Sequence, residues 1–416
     1  MLSVDYIRKN PQKVKDAARN KNRQVDIDLI LKLDEQRRNV IQEIQTLREQ
    51  RNASSHQKPD QETIQKNKKL KETLKQAEQK LRAIESELNT LLLFVPNIPL
   101  AEVPIGKDAS QNKVVRTVGT IPQFNFTPRS HLEIGEALDL LDLERGTKVA
   151  GFRGYFLKNQ LAVLHLALLF YSFQKLVKKG YTPLVAPAIV KNFALVGSAH
   201  FPWGKEQDVY KLNEEDAYLA ATAEVATTAY YAGETLAQKQ LPKKFVAISP
   251  CFRREAGAYG KDTKGLYRVH EFLKTEQVIL SENNIDKARE IHEELQTNAE
   301  EILKDLRLPY RVLLMCTGDM GEPQLKKYDT ETWMPSRKNY GETMSNSIMG
   351  DFQTRRLNIK YKTPEGKSEY CFSYNNTALA SPRILIAILE NYQQENGSVK
   401  VPTVLQSLAG FSEIKK

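Results

Sequence analysis

The chain is predicted to be an α+β protein, on three observations. Apolar residues recur at steps of three and four through two long segments between Asp26 and Leu91. Beyond Lys244, runs rich in β-branched and aromatic residues are broken by Gly and Pro, as strands and turns are. Helical patterns near Asn159 to Lys179 and over residues 285–307 supply the flanking helices. With 416 residues, 41% of them apolar, the chain is long enough for two or three domains, each with its own core.

Composition narrows the class. There is no run of 18 or more apolar residues, and the opening MLSVDYIRKNPQKV lacks the apolar region of a signal peptide, so a soluble, cytoplasmic protein without a membrane partner is expected. Cys251, Cys316 and Cys371 are widely spaced and belong to no CxxC or Cys/His cluster, which argues against disulfides and structural zinc. A net charge of +10 and a pI near 9.2 favour a polyanionic partner.

Residues 1–25 are short, polar and basic, with Pro11 at a helix start. From Asp26 the steps run through Ile30, Leu33, Arg37, Val40, Ile44, Leu47 and Arg51, and after the polar break from Asn52 to Asp60 they recur at Leu70, Leu74, Ala77, Leu81, Ile84, Leu88 and Leu91. Two helices folding back on each other make an arm of roughly 40 Å, at about 1.5 Å per residue. Between Arg48 and Arg82 the arm carries ten Lys or Arg, Lys58 among them, against five acids. RNA binding, a solvated charged face and a dimerisation coil all fit that excess. VPNIPLAEVPIG then places three prolines in a dozen residues, so the domains are expected to be 1–100 and 101–416.

Within the second domain, Gly180 closes the first helix, and GYTPLVAPAIV reads as an edge strand between prolines. Thr222-Ala223-Glu224 leads from a short strand into a helix, where Glu224 also suits the helix dipole. The next stretch, from Lys244 to Leu280, is expected to be a long hairpin. Its strands run through Phe245–Ile248 and Leu266–Leu280, and Gly257, Gly260 and Gly265 loosen the loop. Period two sets Arg253 and Glu255 on one face of the first strand, and Arg268, His270, Phe272, Lys274 and Glu276 on one face of the second. Guanidinium forks, a carboxylate and a flat ring on one surface suit a nucleotide; a solvated face of ion pairs has the same pattern. Near the end, Ser381 and Pro382 suit the N-cap and N1 positions of a helix that is apolar almost all round and therefore buried. Arg383 in its first turn makes either a second anion site or a capping ion pair.

Taken together, the hairpin, the Thr-Ala-Glu segment, the GETMS run at 341–345 and NNTALASPR at 375–383 make the chain resemble seryl-tRNA synthetases of the bacterial type, which are class II aminoacyl-tRNA synthetases. FRRE with RVHEF is similar to class II motif 2, GYTPLVAP to motif 1 and ALASPRILIAILENYQ to motif 3, in family order and along the whole chain. The chain departs from the family's commoner GSGLAVGR at NNTALASPR, and from its SSCSN at MSNSI.

The resemblance implies an antiparallel sheet flanked by helices, preceded by an antiparallel two-helix coiled-coil arm, in a homodimer joined through motif 1. It implies that L-serine and ATP form seryl adenylate, and that the seryl group passes to tRNA(Ser) and, as the family implies, tRNA(Sec). A carrier-protein ligase and a non-catalytic RNA-binding paralogue are the alternatives. Arg253 matches the α-phosphate ligand, Glu255 the acid on the adenine amine and Arg268 the γ-phosphate ligand, with Arg254 and Val269 beside them. Phe272 would stack under adenine and Arg383 over it. Thr222, Ala223, Glu224, Glu276 and Thr377 match the serine-binding positions. Glu342, Thr343, Met344 and Ser345 match the ATP segment, and Glu342 the Mg²⁺ carboxylate. Arg48, Arg51, Lys66, Lys68, Lys69, Lys71 and Lys75 are the basic residues expected to meet tRNA. No zinc is expected.

Overall fold

The computed structural model describes residues 1–54, 60–202, 208–213, 215–255 and 264–416. Lys58, Gly257 and Gly260 lie outside the described residues. The chain divides into two compact units, Met1–Ile98 and Pro99–Lys416.

In the first unit, α1 (Val4–Lys9) and α2 (Pro11–Asn20) precede the long helices α3 (Ile27–Ser54) and α4 (Gln61–Leu92). Asp60 starts α4 by accepting the Thr63 N–H at 2.7 Å. The heptad positions meet: Ile30, Leu33, Val40 and Ile44 are buried with Leu74, Ala77, Ile84 and Leu88. Ion pairs cross the seam from Arg37 to Glu85 at 3.0 Å and from Arg48 to Glu78 at 2.8 Å; as one number rises the other falls, so the helices are antiparallel. Lys66, Lys68, Lys69, Lys71 and Lys75 are exposed along α4, and Arg48 and Arg51 along α3.

The second unit is built on an eight-stranded sheet. In chain order its strands are β1 (Lys113–Val118), β2 (Thr182–Val185), β3 (Lys243–Phe252), β4 (Glu271–Ser281), β5 (Tyr310–Leu314), β6 (Lys326–Met334), β7 (Asn339–Gly350) and β8 (Phe372–Ala380). Their spatial order is β1-β5-β6-β7-β8-β4-β3-β2. Every neighbouring pair is antiparallel except the last, in which β2 runs parallel to β3, so the expected antiparallel sheet carries one parallel edge. Pro183 has no N–H for a second neighbour, which suits β2 to the edge.

Helices cover this sheet. α5 (Asn159–Lys178) buries Leu161, Leu164, Leu168 and Leu176; by length and composition alone it could also cross a bilayer. The short α6 (Ala223–Thr228) is capped by Thr222, whose hydroxyl accepts the Glu224 N–H at 3.2 Å. α7 (Ile285–Asp305) is capped by Asn284 and lays Ala288, Leu295, Ala299 and Ile302 into the main core. α8 (Arg383–Asn391) is buried from Ile384 to Glu390.

Two local expectations are corrected. The second hairpin strand begins at Glu271, not Leu266, because side chains claim the backbone before it. The Leu266 N–H donates to His131 Nε2 at 3.3 Å, and the Tyr267 carbonyl accepts from Arg383 Nε at 3.0 Å. Arg268 and His270 therefore lie in the loop, and Glu255, at φ 52°, has left the strand. The final helix is capped by Pro382 rather than Ser381, so Arg383 is its first residue. Ser381 spends its hydroxyl on His165 Nδ1 instead.

Candidate active site

The hairpin holds its cations through the backbone. Past β3, the Arg253 N–H donates to the His270 carbonyl at 2.8 Å, and His270 Nδ1 returns a bond to the Arg253 carbonyl at 2.8 Å. The Arg253 side chain is thereby aimed over the Phe272 ring, its Cζ 5.2 Å from the centroid, while Nε reaches the Ala221 carbonyl at 3.4 Å. Arg383 emerges from the start of α8 over the ring of Tyr267 at 4.4 Å, and its Nη1 donates to the Glu342 carbonyl at 2.7 Å.

These groups open on one cavity. Of the residues expected to meet ATP, Arg253, Glu255, Arg268, Val269, Phe272, Glu342, Thr343, Met344, Ser345 and Arg383 all line it. Arg254 does not; its guanidinium lies 5.5 Å over the ring of Tyr210. Glu255 and Arg268, assigned to opposite ends of a nucleotide, are ion-paired with each other. Arg253 lies over the Phe272 ring, and the Tyr267 carbonyl and ring hold Arg383 on the other wall.

Deeper in, Lys274 and Thr377 continue the cavity into a buried polar network. Lys274 Nζ donates to Thr222 Oγ1 at 2.6 Å and Thr377 Oγ1 at 3.3 Å, and it is ion-paired with Glu276. Thr377 Oγ1 in turn donates to Glu276 Oε2 at 3.2 Å. Thr377 on β8 stands opposite Glu276 on β4, the last pair in unbroken register before a bulge between Thr377 and Leu379. Glu224, on the first turn of α6, accepts from Gln353 Nε2 at 2.7 Å, and Gln353 Oε1 accepts from Ser373 at 2.7 Å. All five expected serine-site residues thus fall on one helix start and two facing strands: Thr222, Ala223 and Glu224 at the start of α6, and Glu276 and Thr377 on β4 and β8. Burial pushes the Glu224 and Glu276 carboxyls up, against the pull of Gln353 on the first and Lys274 on the second. Burial, then the nearby Arg253 and Lys274, lowers His200 to about 4.

On the opposite wall, Glu342 is half exposed at the mouth of the cavity. Although burial works against it, Arg383, Lys327 and Arg253 hold its carboxyl below the usual range. Asp329 faces Ser345 across β6 and β7, and its Oδ2 accepts from Lys327 at 2.9 Å. Burial pushes the Asp329 carboxyl up to about 6, with Lys327 opposing and Glu342 adding to the shift. Its Oδ1 is buried, and Ser345 across the strand pair also steadies the carboxylate. Hard oxygen donors beside an ionised carboxylate suit Mg²⁺, which takes one or two carboxylates and completes its shell with phosphates and water. No cluster of three His, Cys, Asp or Glu that could hold a metal occurs among the described residues. The three cysteines are buried and free.

Sequence reasoning passed over several residues in and around the cavity. Lys274 was legible, since it alternates with Phe272 and Glu276 on one strand face, yet nothing in the pattern marked it as buried. Tyr267, Gln353 and Asp329 had no local signal; they join the site through pairings that are distant in the chain.

Arginines on a hairpin end and a helix start, facing across an antiparallel sheet, define a class II aminoacyl-tRNA synthetase core. A family model described as "tRNA synthetase class II core domain (G, H, P, S and T)" matches residues 208–392, and one described as "Seryl-tRNA synthetase N-terminal domain" matches residues 1–99. The chain is 44% identical to the serine--tRNA ligase of Deinococcus radiodurans over 420 residues, covering 100% of this chain and 99% of that one. Its fold matches the crystal structure of seryl-tRNA synthetase from Pyrococcus horikoshii complexed with ATP at a TM-score of 0.93 and 36% identity, covering 100% of this chain and 99% of that one. The cytoplasmic serine-tRNA ligase of Naegleria fowleri in complex with AMP matches at 0.90 and 32% identity, with the same coverage. The chain belongs to the seryl-tRNA synthetase family. It activates serine with ATP and charges tRNA(Ser).

Proposed function

We propose that ATP lies in the cavity between Phe272 and Arg383, with its α-phosphate on Arg253, its adenine amine on Glu255 and its γ-phosphate on Arg268. Nucleotide binding then exchanges the Glu255–Arg268 pair for contacts with the two ends of ATP. The backbone around Arg254 and Val269 and the segment from Glu342 to Ser345 complete the ATP site. Serine is held by the Thr222-Ala223-Glu224 segment, Glu276 and Thr377. Glu342 would hold Mg²⁺, which neutralises phosphate charge when bound.

The serine carboxylate attacks the α-phosphorus in line and pyrophosphate leaves, so the protein need supply no nucleophile. Arg253 and Arg383 position the reactants and offset the negative charge that develops on the phosphate. In the second step a ribose hydroxyl of the terminal adenosine attacks the carbonyl carbon of the mixed anhydride, the bond to the phosphate oxygen breaks, and AMP leaves as the hydroxyl gives up its proton. The observation that carries this reading is that the hairpin end, β7 and α8 converge on one cavity, which continues into the Lys274–Glu276–Thr377 network.

The same reading extends to the rest of the molecule. The domain before residue 100 binds tRNA through Arg48, Arg51, Lys66, Lys68, Lys69, Lys71 and Lys75, and the domain after it is catalytic. tRNA(Sec) is charged as well. The enzyme is a cytoplasmic homodimer, an assembly that would cover the exposed apolar residues Leu166, Phe170, Val185 (90% exposed) and Ile189 on α5 and around β2. Serine-dependent ATP–pyrophosphate exchange, followed by charging of tRNA(Ser), tests the assignment. Exchange without charging would make the protein a carrier ligase, and neither would make it a non-catalytic paralogue.

A further inference from the structure

Lys274 is 4% exposed, the one buried cation among the described residues that line the cavity; Arg253, Arg268 and Arg383 are each partly open. An ammonium group has three donors, and the partners of Lys274 Nζ are Glu276, Thr222 and Thr377. A lysine that served as a counter-ion to Glu276 alone would need neither hydroxyl. Instead its head group lies among the three side chains assigned above to serine, on the same strand face as Phe272 and on the side of the network that opens to the cavity. Serine enters as a zwitterion, and its carboxylate must be held close to the α-phosphate while Arg253 is engaged with that phosphate. Uncompensated, this carboxylate would be costly in so dry a site. A flexible four-carbon stem lets the Lys274 ammonium turn from the hydroxyls toward that carboxylate and leaves Glu276, Thr222 and Thr377 for the substrate's ammonium and hydroxyl.

We propose that Lys274 is a substrate-binding residue that pairs with the carboxylate of serine and makes the pocket selective for carboxylate-bearing amino alcohols. The proposal rests on the assignment of serine to the Glu276–Thr377 network.

The probe is serinol, which keeps the ammonium and hydroxyl of serine and lacks the carboxylate. It is measured as a competitive inhibitor of serine-dependent ATP–pyrophosphate exchange, beside the KM for serine. In the unaltered enzyme serine should bind at least about tenfold more tightly than serinol, the value of a buried charge-assisted contact; equal affinity overturns the proposal without any mutant. Lys274→Met should weaken serine about tenfold or more while serinol changes by less than about threefold, and Lys274→Arg should recover part of the difference. Equal loss of serine and serinol in Lys274→Met would make the lysine a structural counter-ion of Glu276 and overturn the proposal. Retained ATP binding reports that each variant is folded. Glu276→Gln separates the two levels: if it changes neither serine nor serinol, the serine-pocket assignment itself is wrong.

Discussion

The Arg253 backbone is fixed by two bonds to His270, one to its carbonyl and one from its ring, so the guanidinium can be removed without disturbing the hairpin. Arg253→Ala should leave the protein folded and lower serine-dependent ATP–pyrophosphate exchange by roughly 10²-fold or more, as loss of a preorganised donor to transition-state charge does. Exchange within a few-fold of the unaltered enzyme would show that the α-phosphate lies elsewhere. Thr377 touches both Glu276 and Lys274, which makes it the natural reader of the substrate hydroxyl. A site that bonds a hydroxyl can reject the analogue lacking it by about 10⁴-fold, so alanine should be a very poor substrate. Thr377→Ala should weaken serine activation and narrow the serine-over-alanine ratio of kcat/KM. An unchanged ratio would place the hydroxyl reader on another residue.

Among the elements, α7 is tied to β1 and β5 through one buried acid. Glu300, 3% exposed, accepts from Arg116 Nε at 3.0 Å, Tyr310 Oη at 2.8 Å and Gln296 Nε2 at 3.1 Å. Although burial opposes it, Arg116 and Tyr310 hold its carboxyl below the usual range. A carboxylate lowered in the folded state adds stability that is fully present above its unfolded pKa and is lost as pH falls through the lower, folded value. Glu300→Gln should cost about 2 kcal/mol in urea unfolding near neutral pH, since Arg116 stays partly solvated, and the difference should shrink toward acid. A constant difference across pH would mean that packing, not charge, is lost. The elements themselves were largely legible, because the heptads of α3 and α4 and the apolar α8 are written in local spacing. The start of β4 was not. Alternation continues back to Leu266, and what ends the ladder is a histidine 135 positions away and an arginine from α8. The parallel pairing of β2 was equally hidden, since a short proline-bracketed run has no directional signature. In the site, residue types and faces could be read from period two, whereas the Glu255–Arg268 pairing and the burial of Lys274 depend on how the loop closes in space.

For the whole molecule, the two units predict separable functions. Deleting Gln36 to Ser86 and joining the stumps by a short loop should leave residues 99–416 folded and amino-acid activation intact, while tRNA charging falls steeply. RNA helices are read mostly by shape and backbone contacts, which the exposed lysines of α4 suit. Reversing Lys68, Lys69 and Lys71 should reproduce part of the loss and flatten the salt dependence of tRNA affinity, by about 0.7 to 0.9 in log–log slope per lost phosphate contact. Undiminished charging by the truncated protein at physiological salt would make the arm a structural coil. The depth at which α8 is set has a consequence for how the enzyme fails under heat. Arg383 is the first residue of a helix whose next seven residues are buried, so the wall of the cavity cannot loosen before the core does. Thermal inactivation of exchange should therefore coincide with cooperative melting of the catalytic unit, with no earlier inactive but folded stage, whereas fraying of the arm should silence aminoacylation at temperatures where adenylate is still being made.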